Sequence, residues 1–111
     1  MKSDNRRAAI AAYKERKSPA GIFALRCAAS GQVWVGQTLD LDKIQNRIWF
    51  MLRLGSHSNR VLQDAWTTHG ADALGFERLE QLEDEESPYV RDGLLKDRLL
   101  HWRSTLGGLA I

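Results

Sequence analysis

Two short apolar runs separated by a turn constrain this chain more than any other feature. Ile22-Phe23-Ala24-Leu25-Arg26-Cys27 is short, apolar and followed by turn residues, so it reads as a strand. Ala28-Ala29-Ser30-Gly31 makes the turn, with Gly31 able to take a positive φ. Gln32-Val33-Trp34-Val35-Gly36 is the return strand, and together the runs predict a β-hairpin.

Helical periodicity surrounds that hairpin. Leu41, Ile44, Ile48, Met51 and Leu52 share one face of a helix predicted over 41–54 and ended by Gly55. Ser58 or Asn59 caps a second helix carrying Val61, Leu62, Ala65 and Trp66, which stops at Gly70. A strand is expected over 74–82, although its alternation slips between Phe76 and Leu79. Ser87 as cap and Pro88 as first helical residue open a last helix. Its stripe is Leu95, Leu99, Trp102 and Leu106, with Gly93 a weak spot, and Gly107-Gly108 releases a short tail.

Near the start, Asp4 or Asn5 caps a helix to about Arg16 that Ala8, Ala9, Ala11 and Ala12 favour. Ser18-Pro19-Ala20-Gly21 ends it. The element order α-ββ-αα-β-α implies a small α/β (α+β) sandwich, with helices on a three-stranded, mainly antiparallel sheet. Residues 1–20 form a basic N-terminal helix in this scheme, 21–106 the domain and 107–111 a tail.

At 111 residues, 43% of them apolar and 27% charged, the chain suits one globular domain. Its single cysteine, Cys27, excludes an intrachain disulfide or a multi-cysteine zinc site. The charged start resembles no secretory signal, and no apolar run approaches the roughly 18 residues of a membrane span. A cytoplasmic protein with no membrane association is the expectation. Charge is unevenly spread. Lys2, Arg6, Arg7, Lys14, Arg16 and Lys17 face only Asp4 and Glu15 near the start, whereas Glu77, Glu80, Glu83, Asp84, Glu85 and Glu86 crowd around Arg78. The basic stretch suits phosphate backbone or an acidic partner, and equally a solvated helix. The acidic stretch reads as a solvated loop.

Gly21-Ile22-Phe23 on the first strand and Trp34-Val35-Gly36 on the second resemble the signature of the GIY-YIG nuclease family. The resemblance continues through Leu39-Asp40-Leu41-Asp42-Lys43, Leu54-Gly55-Ser56-His57-Ser58-Asn59, Leu62-Gln63-Asp64-Ala65-Trp66, His69-Gly70 and Phe76-Glu77-Arg78-Leu79-Glu80. It covers residues 21 to about 103, and is nearest to short bacterial members of the family.

The resemblance implies hydrolysis of phosphodiesters with one divalent metal. Motif tyrosines position or activate water, a helical arginine stabilises phosphate, a histidine assists from the same helix, and a later glutamate binds the metal. Hydroxyls relay protons, guanidinium neutralises charge developing on phosphate, and a hard cation takes carboxylate oxygen. This chain departs from that set. Phe23 and Trp34 occupy the tyrosine places, Ile44 the arginine's, Ile48 the histidine's and Leu99 the glutamate's. Only His57 and Asn59 remain as polar candidates from the motif. Because Ile44, Ile48 and Leu99 lie on apolar stripes, they are expected to converge beside Phe23 and Trp34. Hydrocarbon would then fill the former cleft, each side chain contributing about 1.5–3 kcal/mol on burial.

Three functions follow. The first is a catalytically degenerate domain that binds DNA or RNA, with Arg6, Arg7, Lys14, Arg16, Lys17, Arg26, Arg47, Arg53 and Arg60 on phosphates and no cofactor. The second is a magnesium- or manganese-dependent endonuclease with a rearranged site, using Arg47 and His57, with Asp97 or Glu77 on the metal. The third is a protein-interaction module receiving a peptide or partner helix at Trp34 and the apolar cleft. Each candidate also has a structural reading. His57 suits a loop or helix cap, His69 a helix C-terminus, His101 a surface, Cys27 a core thiol, and Trp49, Trp66 and Trp102 core packing.

Overall fold

The computed structural model describes residues 19–111. The expected N-terminal helix, with Arg6, Arg7, Lys14, Arg16 and Lys17, lies outside the described residues. Strands β1 (Gly21–Cys27) and β2 (Val33–Thr38) form the hairpin, antiparallel from Gly21 opposite Thr38 to Arg26 opposite Val33. Strand β3 (Leu74–Gln81) pairs antiparallel with the other edge of β1. The slip in its hydrophobic alternation has a physical cause. Phe23 lies opposite Arg78 and Ile22 opposite Glu80, so Leu79 is an extra residue at a register shift. The bulge moves the apolar side chains of β3 from one face of the sheet to the other.

Among the described residues the sheet has four strands, not three, in the order β3-β1-β2-β4. Strand β4 (Leu109–Ala110) runs parallel to β2, with Trp34 opposite Leu109. The segment expected as a free tail therefore extends the sheet. Two residues are too few to show a strand's alternation, which is why the sequence pattern does not reveal this pairing.

Helices α1 (Ile44–Arg53) and α2 (Arg60–His69) follow β2, and α3 (Pro88–Leu106) follows β3. Helix α1 starts later than its periodicity implies. Asp40 Oδ1 accepts from the backbone N–H groups of Asp42 (3.0 Å) and Lys43 (3.2 Å), holding residues 41–43 as a turn with Leu41 buried. Asn59 caps α2 by accepting from Leu62 N–H at 3.1 Å, and Ser87 caps α3 by accepting from Val90 N–H at 3.3 Å.

Alternation along β1 and β2 divides the core into two layers. Phe23, Leu25, Cys27 and Trp34 pack against Ile48, Leu52, Leu62 and Ala65 of α1 and α2. Ile22 and Val35 pack against Leu95, Leu99 and Trp102 of α3. Trp49 and Trp66 meet edge to face at 5.7 Å and hold α1 to α2. Among the described residues, no helix is long and apolar enough to cross a membrane.

Candidate functional site

The two aromatic side chains at the motif positions belong to the core. Phe23 is 2% exposed and Trp34 is 0% exposed. A Cβ on Gly36 would lie 2.7 Å from Phe23 Cζ, so the absence of a side chain there lets the ring reach the neighbouring strand. A Cβ on Gly21 would likewise collide with the Glu80 carbonyl and the Leu41 side chain. The glycines of this motif thus have packing roles. Trp34 Nε1 is buried with no hydrogen-bond partner among the described residues, and an indole N–H is only a donor, so it supplies no base. Burial also removes Trp34 from any surface that a peptide touches, which corrects its expected place in an apolar docking cleft.

Ile44 and Ile48 join Phe23 and Trp34 in one apolar layer, Ile48 buried and Ile44 half-buried. Leu99 does not join them. It packs with Ile22, Val35 and Leu95 in the other layer, because α3 covers the face to which the intervening residues of β1 and β2 point. The expected convergence of Ile44, Ile48 and Leu99 is corrected accordingly. Ile44 and Ile48 lie in one layer and Leu99 in the other, and of the three only Ile48 is buried.

An open groove of about 620 Å³ lies between the end of β2, α1 and the first turns of α3. Gln37, Thr38, Leu39 and Asp40 form one wall, Ile44 and Arg47 another, and Asp92 and Leu95 the third. Its volume is that of small-ligand sites. Asp40 is occupied in capping the turn before α1, and Thr38 Oγ1 accepts from Asp40 N–H at 3.0 Å. Arg47 is exposed and enters no ion pair among the described residues. Asp92 side-chain contacts are to the adjacent Arg91, at 3.3 and 3.4 Å, and it is 65% exposed. Arg47 and Asp92 are therefore the charged groups with room to meet a ligand here.

Asp92 is a site residue that the sequence pattern does not disclose. It belongs to neither the motif pieces nor a charge run, and reaches the groove because α3 crosses the sheet near β2. The substitutes expected for a metal ligand lie elsewhere. Asp97 sits with Tyr89, Val90 and Leu94 on the outer side of α3, and Glu77 Oε2 accepts from Arg26 Nε at 2.9 Å. Among the described residues, no three His, Cys, Asp or Glu side chains gather as a metal site.

His57 is not among the residues lining the groove. Its Nδ1 accepts from Asn59 N–H at 3.0 Å, and its backbone N–H donates to Gln63 Oε1 at 3.2 Å. Buried Gln63 then donates to the Leu52 carbonyl at 3.1 Å, closing the α1–α2 turn. Burial pulls the His57 pKa below its ordinary 6.5. Asn59 Nδ2 donates to the Ala110 carbonyl at 2.9 Å and ties β4 to α2. Of the expected phosphate-binding arginines, Arg26 is paired with Glu77 at the far end of the hairpin. Arg53 and Arg60 are exposed at the end of α1 and the start of α2.

The sheet with its flanking helices is a GIY-YIG nuclease-like fold. It is similar to the catalytic domain of the homing endonuclease I-TevI, with a TM-score of 0.69 and 26% identity over 83% of this chain and 97% of that one. A substituted form of the catalytic domain of the intron endonuclease I-TevI matches over 80% of this chain and 84% of its own, at TM-score 0.68 and 26% identity. No family model matches the sequence, and no curated protein matches it.

Proposed function

We propose that this chain is a nucleic-acid-binding domain that keeps the nuclease-like fold and contacts phosphates without hydrolysing them. One observation carries the reading. The two positions where the resemblance implies tyrosine hold Phe23 and Trp34, both buried and neither able to accept a proton from water, while Arg47 lines the groove in no ion pair among the described residues. A guanidinium there suits phosphate oxygens, and the likeness to an endonuclease domain supports nucleic acid as the ligand class. A cytoplasmic setting belongs to the same reading. The test is binding of labelled DNA and RNA at several salt concentrations. Affinity falling steeply with salt and showing little sequence preference is expected, and no binding at low salt overturns the proposal.

A second reading is favoured by Asp92 facing the same groove as Arg47. Magnesium accepts one or two carboxylates together with substrate phosphates, so Asp92 is the residue that would hold it. Such an ion would supply charge neutralisation at the phosphate. Arg47 would orient that phosphate. This endonuclease with a rearranged site is distinguished by metal-dependent strand scission that Asp92→Asn abolishes.

A further inference from the structure

Helix α1 turns an unusual face to solvent. Lys43, Asn46, Arg47, Phe50, Arg53 and Leu54 are all exposed, and their three- and four-residue spacings put them on one side of the helix. Phe50 is 60% exposed and Leu54 64% exposed. No residue from Ile44 to Arg53 is acidic. Elsewhere the described arginines are often neutralised, Arg26 by Glu77, Arg78 by Asp42, Arg91 by Asp92 and Arg98 by Glu80. Among the described residues, Lys43, Arg47 and Arg53 enter no such pair. The result is an aromatic ring presented to water between cations that form no ion pair among the described residues.

An exposed phenyl ring gains nothing for the fold, because the apolar side of α1 already packs through Ile48 and Leu52. Cations beside it suit a polyanion, and the flat ring suits the face of a base. In a regular duplex those faces are stacked on one another, so a side chain reaches them only by unstacking a step. Unpaired nucleotides offer a backbone to Lys43, Arg47 and Arg53 and an open base to Phe50 at no such cost.

We propose that this face of α1 is a binding ridge for single-stranded nucleic acid, with Phe50 as its base-stacking platform. The inference rests on the nucleic-acid reading given above and adds to it the form of the ligand. Stacking of this kind tolerates any base, so strand form rather than sequence governs affinity.

The test measures fluorescence anisotropy of a labelled DNA strand of about 15 nucleotides, within the span such surfaces cover. The same strand annealed to its complement, an abasic strand of equal length, and the RNA version complete the set. The intact protein is expected to bind the single strands of DNA and RNA more tightly than the duplex. Phe50→Ala is expected to weaken single-strand binding about tenfold while leaving the abasic strand unchanged. Phe50→Trp is expected to restore single-strand binding, and Phe50→Leu to leave it weak, which separates stacking from simple apolar contact. Circular dichroism melts establish that each variant folds. Equal affinity for duplex and single strand, unchanged by Phe50→Ala, overturns the ridge while leaving the nucleic-acid reading intact. Absence of binding to every probe overturns both.

Discussion

The ring of Phe23 stacks on that of Phe76, with centroids 5.5 Å apart and planes inclined by only 17°. This contact joins the first motif position to the third strand and fixes the ring inside the layer beneath α1 and α2. A tyrosine at this place would add its hydroxyl at Cζ, the ring atom that would lie 2.7 Å from a Cβ on Gly36. Phe23→Tyr is therefore expected to destabilise the protein by about 1–3 kcal/mol through overpacking. It should not create strand scission. Urea unfolding of the variant and the parent chain measures the first effect. A variant as stable as the parent would mean that the ring has more room than this packing allows.

Arg47 and Asp92 share a groove but carry opposite charge, so their replacement should act in opposite directions on a polyanion. Arg47→Ala is expected to weaken nucleic-acid binding across sequences and to lower the salt slope by about one. Asp92→Asn is expected to tighten binding in the absence of divalent metal. Titrations at several salt concentrations test both. Weaker binding in Asp92→Asn would show that the carboxylate assists the ligand instead of opposing it.

Glu80 joins β3 to α3. Its Oε1 accepts from Arg98 Nε at 2.7 Å and from Trp102 Nε1 at 2.8 Å. Burial raises the Glu80 pKa, but these bonds and the charges of Arg98 and His101 outweigh it and hold the carboxyl below its ordinary 4.5. A depressed carboxyl contributes stability that is present above the unfolded value and is lost as pH falls through the folded one. Glu80→Ala is expected to cost about 1.5–3 kcal/mol at neutral pH, as hydrogen bonds to charged groups do. The difference from the parent chain should shrink below about pH 4. Unfolding curves at neutral and acid pH check both statements.

His57 provides a separate pH signature. Its pKa in the folded chain lies below 6.5 because burial disfavours the charged ring. The stability attached to the neutral ring is thus present above pH 6.5 and declines as pH falls towards the folded value. The parent chain is expected to lose stability relative to His57→Gln as pH falls below 6.5. Parallel curves for the two proteins would contradict this account of the α1–α2 turn.

Local signals reveal most of the fold and less of the site. Turn residues 28–31, the Asn59 and Ser87 caps and the stops at Gly55 and Gly70 act within a few residues, so their chemistry is visible in sequence. Even the bulge at Leu79 leaves a trace as a slipped alternation. What escapes is non-local. Leu99 looks equivalent to Ile44 and Ile48 as a stripe residue, and only the layer order sends it to the other face of the sheet. Asp92 carries no local mark of function, and the packing of α3 across the sheet brings it to Arg47. The pairing of Leu109 and Ala110 with β2 is likewise a product of chain return, not of pattern.

The most direct measurement incubates labelled single- and double-stranded DNA and RNA with the purified protein in magnesium or manganese, and follows both mobility and strand length. The account predicts retarded strands of unchanged length. Metal-dependent cutting that disappears in Asp92→Asn would contradict it and assign the groove to catalysis.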